Sequence, residues 1–372
     1  MKIERVDLHH ISQNLVHPFR TSFGTQTERP CILVAVYSQG LVGWGECPTS
    51  ANPGYSYETV TTAWHILSDF LVPAILDQTI TEPQAVAPHF QKVRGHPMAK
   101  ASLENAVWDL LAKAKGVSLA DMLGGVRDRV EVGVSIGIQP TLPALLERVD
   151  QFVAQGYRRI KMKIEPGWEL EPLSAVRTRH PGIKLMADAN SAFGLEHVPL
   201  FQEMDSLNLL MIEQPLHHDD IYDHARLQAQ INTPICLDES IHSPNHARWA
   251  IDIEACRIIN MKVSRVGGLT HAVTIHHMCR EAGLQMWCGG MLETGVGRAT
   301  NIHLATMPNF TLPGDISDTE RYYDEDIDEP AFSLNSEDST LSVPSGAGIG
   351  VEVIPARLEK YRVQHRRFGP SA

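Results

Sequence analysis

No run in this chain of 372 residues approaches the roughly 20 consecutive apolar residues that span a bilayer. The start, MKIERVDLHH, has charges with no apolar stretch behind them, so no membrane partner and a cytoplasmic location are expected. Cysteine is sparse: Cys31, Cys47, Cys236, Cys256, Cys279 and Cys288 include no Cys-x-x-Cys pair, which suits reduced core thiols better than a disulfide framework or a zinc site. Positive charge is short as well. With 32 Lys and Arg against 44 Asp and Glu, the net charge of −12 leaves no broad basic surface for binding a phosphate backbone, so nucleic acid is not an expected partner. Hydrophobic residues at 43% and charged residues at 20% are ordinary for a globular protein, which removes the disordered and fibrous classes. The length then calls for two or three domains, or one large barrel with an accessory domain.

The first 46 residues read as strands: an opening run to about Leu8, then Cys31 to Tyr37 and Leu41 to Glu46 around a Gln39-Gly40 turn. From about Ser56 to Leu123 the pattern is helical, clearest from Ala99 to Lys115, where Leu103, Val107, Leu110, Leu111 and Ala114 recur at helical spacing. Residues 1–125 are therefore expected to form an α+β domain. Past Gly124-Gly125, short β-rich runs alternate with helical ones, the sequence form of a parallel sheet built from βαβ units. The strand candidates are Val130–Gly137, Arg158–Ile164, Ile183–Asp188, Leu209–Glu213, Pro234–Asp238, Arg257–Lys262, Leu284–Cys288 and, most weakly, Phe310–Asp315, and eight is the barrel count. Between the first two, Leu142, Leu145, Leu146, Val149, Phe152 and Val153 make one apolar helical stripe, closed by Gly156. A second domain, a barrel over residues 126–324, is expected, with the segment from about 325 to 372 returning to the first.

The informative charges are those at which apolar strands end. Three core-like runs stop at Asp188, Glu213 and Asp238, spaced 25 and 25 residues apart, one βα unit each, which sets three carboxylates on adjacent strands at one height. In a (β/α) barrel that height is the C-terminal mouth, where active sites form. Three converging anions repel unless a cation joins them, and an all-oxygen ligand set favours Mg²⁺, with Mn²⁺ as substitute, over zinc or copper. A lone Asp at a strand end is usually a helix N-cap; three at one period are not.

Lysines supply the other half. Lys161 and Lys163, two apart, share one face of strand two, pointing either into the barrel or at the helices. Lys262 ends strand six, 24 residues after Asp238, so in an eight-strand ring it faces strand two across the mouth. Two opposed amines can approach a planar carbanion from either face. A lysine with an ordinary pKa of about 10.4 must fall by roughly three units to act as a base near neutrality. Burial and the neighbouring cations, Lys161, Arg265 and the metal, are expected to push that way.

As an ordered set, Lys161-Met162-Lys163, Asp188-Ala189-Asn190, Glu213-Gln214-Pro215, Asp238-Glu239-Ser240 and Lys262 resemble the enolase superfamily, and within it the muconate-lactonizing subgroup. The likeness covers nearly the whole chain. The runs Lys262-Val263-Ser264-Arg265-Val266-Gly267-Gly268, Gly289 to Gly295 and Pro313-Gly314-Asp315-Ile316-Ser317 look like the o-succinylbenzoate synthase/N-acylamino acid racemase family. Ser317 stands where dipeptide epimerases carry a second Asp. The resemblance implies an α/β architecture, a modified (β/α)8 TIM-type barrel with an α+β capping domain, and abstraction of a proton next to a carboxylate. It implies Lys163 and Lys262 as catalytic residues, Asp188, Glu213 and Asp238 as metal ligands, and Lys161, Ser135, Asn190, Arg265, Met291 and Glu293 as substrate-binding or supporting residues. It further implies dehydration in menaquinone synthesis, racemisation of N-acylamino acids, or both, on a small carboxylate by a homo-oligomer, with a muconate-type cycloisomerase, a dipeptide epimerase and a catalytically inactive binding barrel as the alternatives. Loops around Phe19–Phe23 and Tyr55 would close over the substrate.

Other features read as structural. The acidic run Asp324 to Glu329 is expected to be a solvated loop. His242-x-x-x-His246 lacks the HExxH glutamate, and His217-His218 and His276-His277 are expected to point their rings apart. Gly295-Val296-Gly297 lacks the context of a dinucleotide fingerprint and fits the seventh βα turn.

Overall fold

The computed structural model describes residues 1–21 and 24–370. A four-stranded antiparallel sheet, in the order β15-β1-β2-β3, is made by β1 (Arg5–Thr21), β2 (Gly24–Ser38), β3 (Leu41–Cys47) and β15 (Arg362–Phe368). The β1–β2 ribbon is longer than the apolar pattern announced. Its outer part, Gln13-Asn14 and beyond, is polar and breaks register between Asn14 and Phe19, so it carries no alternation to read. Period-two burial explains the inner part: Ile32, Val34 and Val36 face a core shared with the helix Pro97–Lys115, while Cys31, Leu33 and Ala35 face the core shared with the barrel.

That helix is buried on nearly every side from Met98 to Ala112, not along one stripe, and Ala114 of the expected stripe is exposed. The helix lies directly on β3, whose Gly43 and Gly45 make the approach possible. A Cβ at Gly43 would sit 2.1 Å from the Ala106 carbonyl oxygen, and one at Gly45 2.0 Å from that of Ser102. On the helix, Asp109 accepts from the Trp44 and Ile349 amides and pairs with Lys113 at 2.7 Å, tying the returning C-terminal segment to the cap.

The second layer is a seven-stranded parallel sheet in sequential order. It comprises β5 (Val134–Ile136), β6 (Arg159–Lys163), β7 (Lys184–Asp188), β8 (Ile212–Glu213), β9 (Ile235–Leu237), β10 (Ile258–Met261) and β11 (Gln285–Cys288). The eighth candidate, Phe310–Asp315, forms no ladder. It closes the ring instead through single bridges, Met286 to Phe310 on one side and Val132 to Gly314 on the other. Pro308, Pro313 and Gly314 suit this irregular backbone. The first candidate is split into β4 (Arg129–Glu131) and β5, and β4 pairs outside the ring with β13 (Thr340–Ser342). A further pair joins β12 (Asp328–Glu329) to β14 (Glu352–Val353).

Inside the ring, alternation sorts the side chains into layers. Met186, Met211, Cys236, Ile258 and Trp287 form an apolar cluster of their own. Two residues further along the same strand faces come Asp188, Glu213, Asp238 and Asn260, so the charged level stands directly on the apolar one. Leu185, Ala187, Ile212, Leu237 and Ile259 point the other way, into the core beneath the helices. All six cysteines are free and buried. No helix among the described residues is long and apolar enough to cross a membrane.

Cap and barrel meet at Glu104. Its Oε1 accepts from Trp108 Nε1 at 3.1 Å and from the amide of Thr270, at the start of the barrel helix Leu269–Ala282, at 3.0 Å. Burial lifts this carboxyl from 4.5 to about 7. The folded chain thus holds a proton that the unfolded chain has released between those values, so stability is highest below the window and falls as pH rises through it. Thermal melts from pH 4.5 to 8 should show Glu104→Gln losing less stability than wild type over that range, by up to about 3 kcal/mol. Parallel pH profiles for the two proteins would contradict this.

Candidate active site

The charged level gathers at the C-terminal ends of β6 to β10. Register places Lys163 beside Asp188 and Asp188 beside Glu213, as expected, whereas Glu213 pairs with Cys236, so Asp238 lies one inward-facing position further along its strand. Asp188 and Asp238 are 1% exposed and Glu213 is fully buried. Lys161 and Lys163 point into the ring together with Arg159. The Lys161 ammonium meets Asp188 at 3.1 Å, Glu213 at 3.0 Å and also Asp315, and lies 5.0 Å from the Trp287 ring centre. Lys163 Nζ donates to Asp188 Oδ2 at 2.6 Å and to Asn190 Oδ1 at 2.7 Å. Four strands away, Lys262 Nζ donates to Asp238 Oδ2 at 2.9 Å and to the Tyr55 hydroxyl at 2.8 Å. One cavity of about 90 Å³ is lined by Lys161, Lys163 and Lys262 together with Ser135, Asn190, Met291 and Asp315 on the barrel side, and by Phe19, Gln26, Arg29, Ser50 and Tyr55 on the cap side.

The supporting residues fall into two groups. Ser135, opposite Lys161 in the ladder, and Met291 line the cavity, whereas Glu293 is buried behind the loop, accepting from the Met291 amide at 2.6 Å and from Asn301 Nδ2 at 3.0 Å. Arg265 is 2% exposed and reaches Asp238, the Tyr55 hydroxyl at 3.2 Å and the carbonyls of Asn260 and Ile241. Asn190, Ser191, Gln214 and Leu292 hold positive φ at the ends of these strands, a conformation the surrounding hydrogen bonds must maintain.

Electrostatics correct one expectation. Burial and Arg265 do push Lys262 down, but the Asp238 carboxylate outweighs them and its pKa is raised. Lys161 is likewise pushed down by burial and raised well above its ordinary value by Asp315, Glu213 and Asp188. Acids at contact distance dominate the more distant cations. Among the acids, burial raises Asp188 and Asp238, yet Lys163 acting on the first and Arg265 and Lys262 on the second bring both below the usual range. Glu213 stays well above it, raised by burial first and by the Asp188 charge second.

That imbalance is the test of whether a metal fits. Glu213 has one cation at contact, Lys161, which it shares with Asp188 and Asp315, and Asn260 Oδ1 beside it is a buried acceptor with no partner. An all-oxygen set with this deficit suits a hard divalent cation held by Asp188, Glu213 and Asp238. Each of these acids is at present drawn to a lysine or arginine. The tight ligand triads, with atoms within 4.8 Å, lie elsewhere among the described residues, at Asp7/His9/His365 and His217/His218/Asp219.

Several residues escaped the sequence reading. Asp315 pairs with both Arg159, at 2.6 Å, and Lys161. Glu239 Oε1 accepts from Asn190 Nδ2 at 2.9 Å and so steadies the amide that holds Lys163. Glu46, on β3, accepts from the Thr294 amide and hydroxyl and the Gly297 amide at the start of the helix Gly295–Ala305, a favoured place for a carboxylate. Gly295 and Gly297 thus open the helix that follows β11, just past the seventh βα turn where they were expected. Two structural expectations fail. Asp326 and Asp328 are buried beside Arg298, 3.5 Å from Asp326, so the acidic run is only partly solvated. The rings of His217 and His218 lie together, centroids 4.2 Å apart, on an irregular turn where strand alternation does not apply. His246 caps the backbone amide of His242, at 3.2 Å. Of the expected closing loops, Tyr55 and Phe19 line the cavity, while residues 22 and 23 lie outside the described residues.

Residues 5–124 match the family described as mandelate racemase/muconate lactonizing enzyme, N-terminal domain, and residues 144–357 match enolase C-terminal domain-like. The chain is 50% identical to the o-succinylbenzoate synthase of Geobacillus stearothermophilus, covering 98% of each. It is 45% identical to the N-succinylamino acid racemase of Thermus thermophilus, covering 100% of each. A solved enolase-superfamily structure from Listeria innocua superposes with a TM-score of 0.95 at 42% identity over 99% of each chain.

Titrating a divalent cation should raise the melting temperature of the wild-type protein, by the equivalent of about 2.7 kcal/mol at a hundredfold excess over Kd. Glu213→Gln should lose most of that gain. An equal gain in both proteins would place the ion elsewhere.

Proposed function

Since the chain belongs to the enolase superfamily, in its muconate-lactonizing subgroup, we propose that it removes the proton next to a substrate carboxylate, acting as an o-succinylbenzoate synthase, an N-succinylamino acid racemase, or both. The observation that carries this is the pair Lys163 and Lys262, four strands apart in the ring and lining one cavity. Relatives named for each activity match the whole length of the chain at 45–50% identity. Ser317 in place of a second Asp on the closing segment argues against dipeptide epimerisation.

A divalent cation, when bound by Asp188, Glu213 and Asp238, supplies positive charge for the substrate carboxylate and for the charge that grows on it as the proton leaves. We take the ion as Mg²⁺, with Mn²⁺ as substitute, because every donor is a hard oxygen. Lys161, fixed between acids and packed near Trp287, adds a second positive contact for that carboxylate. Lys163, held by Asn190, takes the α-proton. In dehydration Lys262 remains an ammonium and faces the anionic intermediate from the opposite side, while the proton that Lys163 has taken passes to the departing hydroxyl, which leaves as water. In racemisation Lys262 delivers a proton to the face opposite Lys163, and the roles reverse for the other enantiomer. Tyr55, bonded to Lys262 from the cap, helps close the cavity against solvent. We also take the protein to act in the cytoplasm as a homo-oligomer on a small-molecule substrate.

Deuterium exchange at the α-carbon of each enantiomer of an N-succinylamino acid tests the assignment. Lys163→Ala should lose exchange on one enantiomer and Lys262→Ala on the other, each by about 10²–10⁴-fold. Wild-type turnover in both variants would remove the two lysines from the chemistry. Because Arg265 presses Lys262 toward deprotonation, Arg265→Gln should move the limb of the pH profile that reports Lys262 to higher pH. A profile identical to wild type would deny Arg265 that role.

A further inference from the structure

Lys163 and Lys262 are held by the same device. Each ammonium donates once to a strand-end carboxylate, Asp188 at 2.6 Å and Asp238 at 2.9 Å, and once to a neutral oxygen, Asn190 Oδ1 at 2.7 Å and the Tyr55 hydroxyl at 2.8 Å. A lysine acting as a base has two N–H groups and one lone pair. Two acceptors that take both N–H groups leave the lone pair a single direction, and because both side chains line the cavity, that direction is toward its contents. The aim of each base therefore depends on its neutral partner continuing to present an oxygen.

The two partners differ in how firmly they do so. At Lys262 the oxygen is a hydroxyl, which also receives Arg265 Nη1 at 3.2 Å. At Lys163 it belongs to an amide, and an amide can turn over, replacing Oδ1 by the donor Nδ2. An ammonium resists that exchange because it has only donors to offer. A neutral amine does not, since its lone pair accepts from an amide N–H, and a base so engaged is turned away from the substrate. The restraint must then come from the far end of the amide, where Asn190 Nδ2 donates to Glu239 Oε1 at 2.9 Å. That oxygen accepts in the charged and the neutral carboxyl alike, and turning the amide over would set oxygen against oxygen. The Asn190 backbone is already fixed, at φ +42° with its N–H on Asp188 Oδ1 at 3.0 Å, so the side-chain amide is the freedom that remains.

Glu239 itself is 6% exposed, and among the described residues its Oε2 is buried with no partner. A buried carboxyl with so few bonds is a poor source of stability, whereas as a lock on the amide it has a use. It does not line the cavity of the lysines. Asn190 stands between, lining both that cavity and a second one, of about 340 Å³, on the Glu239 side.

We propose that Glu239 is a positioning residue that locks the Asn190 amide with its oxygen toward Lys163, and so keeps that lysine, and not Lys262, aimed at the α-carbon. The inference rests on the proposed proton abstraction, and the Lys262 side of the site is its internal control.

The test is α-proton exchange in heavy water, followed separately for the two enantiomers of one N-succinylamino acid at saturating Mg²⁺. The proteins compared are wild type, Glu239→Ala, Glu239→Gln, Asn190→Ala and the double variant Asn190→Ala/Glu239→Ala. Glu239→Ala should slow exchange of the enantiomer that depends on Lys163 by about 10- to 100-fold relative to the other. Glu239→Gln, which fills the same space and keeps an acceptor oxygen, should shift the ratio in the same direction by less. The double variant should shift it no further than Asn190→Ala alone, because the two residues act through one amide. An unchanged ratio, whether both rates hold or both fall together, would overturn the inference, since loss of metal or of packing slows both enantiomers alike. Additive shifts in the double variant would overturn it as well. A wild-type protein that exchanges neither enantiomer and leaves the dehydration substrate untouched would overturn it together with the functional reading beneath it.

Discussion

Three carboxylates buried at one level of the barrel are the constraint on which the rest depends. Each buried ion costs several kcal/mol unless it is paired, and like charges side by side add to that cost. Asp188, Glu213 and Asp238 therefore require cations at the same level, and the chain supplies Lys161 and Lys163 on β6, Lys262 just past β10 and Arg265 on the helical turn Val263–Val266 that follows. The apolar floor of Met186, Met211, Cys236, Ile258 and Trp287 offers no polar group from beneath, so these charges are balanced by one another, by neutral neighbours such as Asn190, Asn260 and Tyr55, and by what enters the cavity. A site that must be neutralised by what enters it is also a site that discriminates among what enters.

The cap completes this arrangement from outside. Tyr55 reaches Lys262, Arg265 and Asp238, and Glu46 seats on the helix start next to the loop that carries Met291 and Leu292. Gly43 and Gly45 let the Pro97–Lys115 helix press against β3, and that helix in turn fixes Glu104 against the barrel. Cavity shape is thus set by contacts between the two layers, while the proposed bases, Lys163 and Lys262, sit at the strand ends of one of them. The division suits an enzyme family in which a common proton abstraction serves different substrates.

Much of this was legible in the chain. Strand ends at a regular 25-residue period announce a shared height, because one βα unit separates each, and the alternation of Lys161 and Lys163 is decided by the same parity that buries Arg159. What stayed hidden has no period. The closing segment at residues 310–315 is held by single bridges, so no strand pattern marks it. Asp326 and Asp328 look like a solvated run until Arg298, from a distant helix, is set beside them. Asp315 and Glu239 gain meaning only from partners far along the chain, and the sign of the lysine shifts depended on distances that spacing cannot supply.

The most direct measurement is a crystal structure of the protein with Mg²⁺ and a slowly turned-over N-succinylamino acid. The account predicts one ion bound by oxygens of Asp188, Glu213 and Asp238 at about 2.0–2.1 Å, with the α-carbon of the ligand between Lys163 Nζ and Lys262 Nζ. An ion bound elsewhere, or both ammonium groups on the same side of the α-carbon, would contradict it.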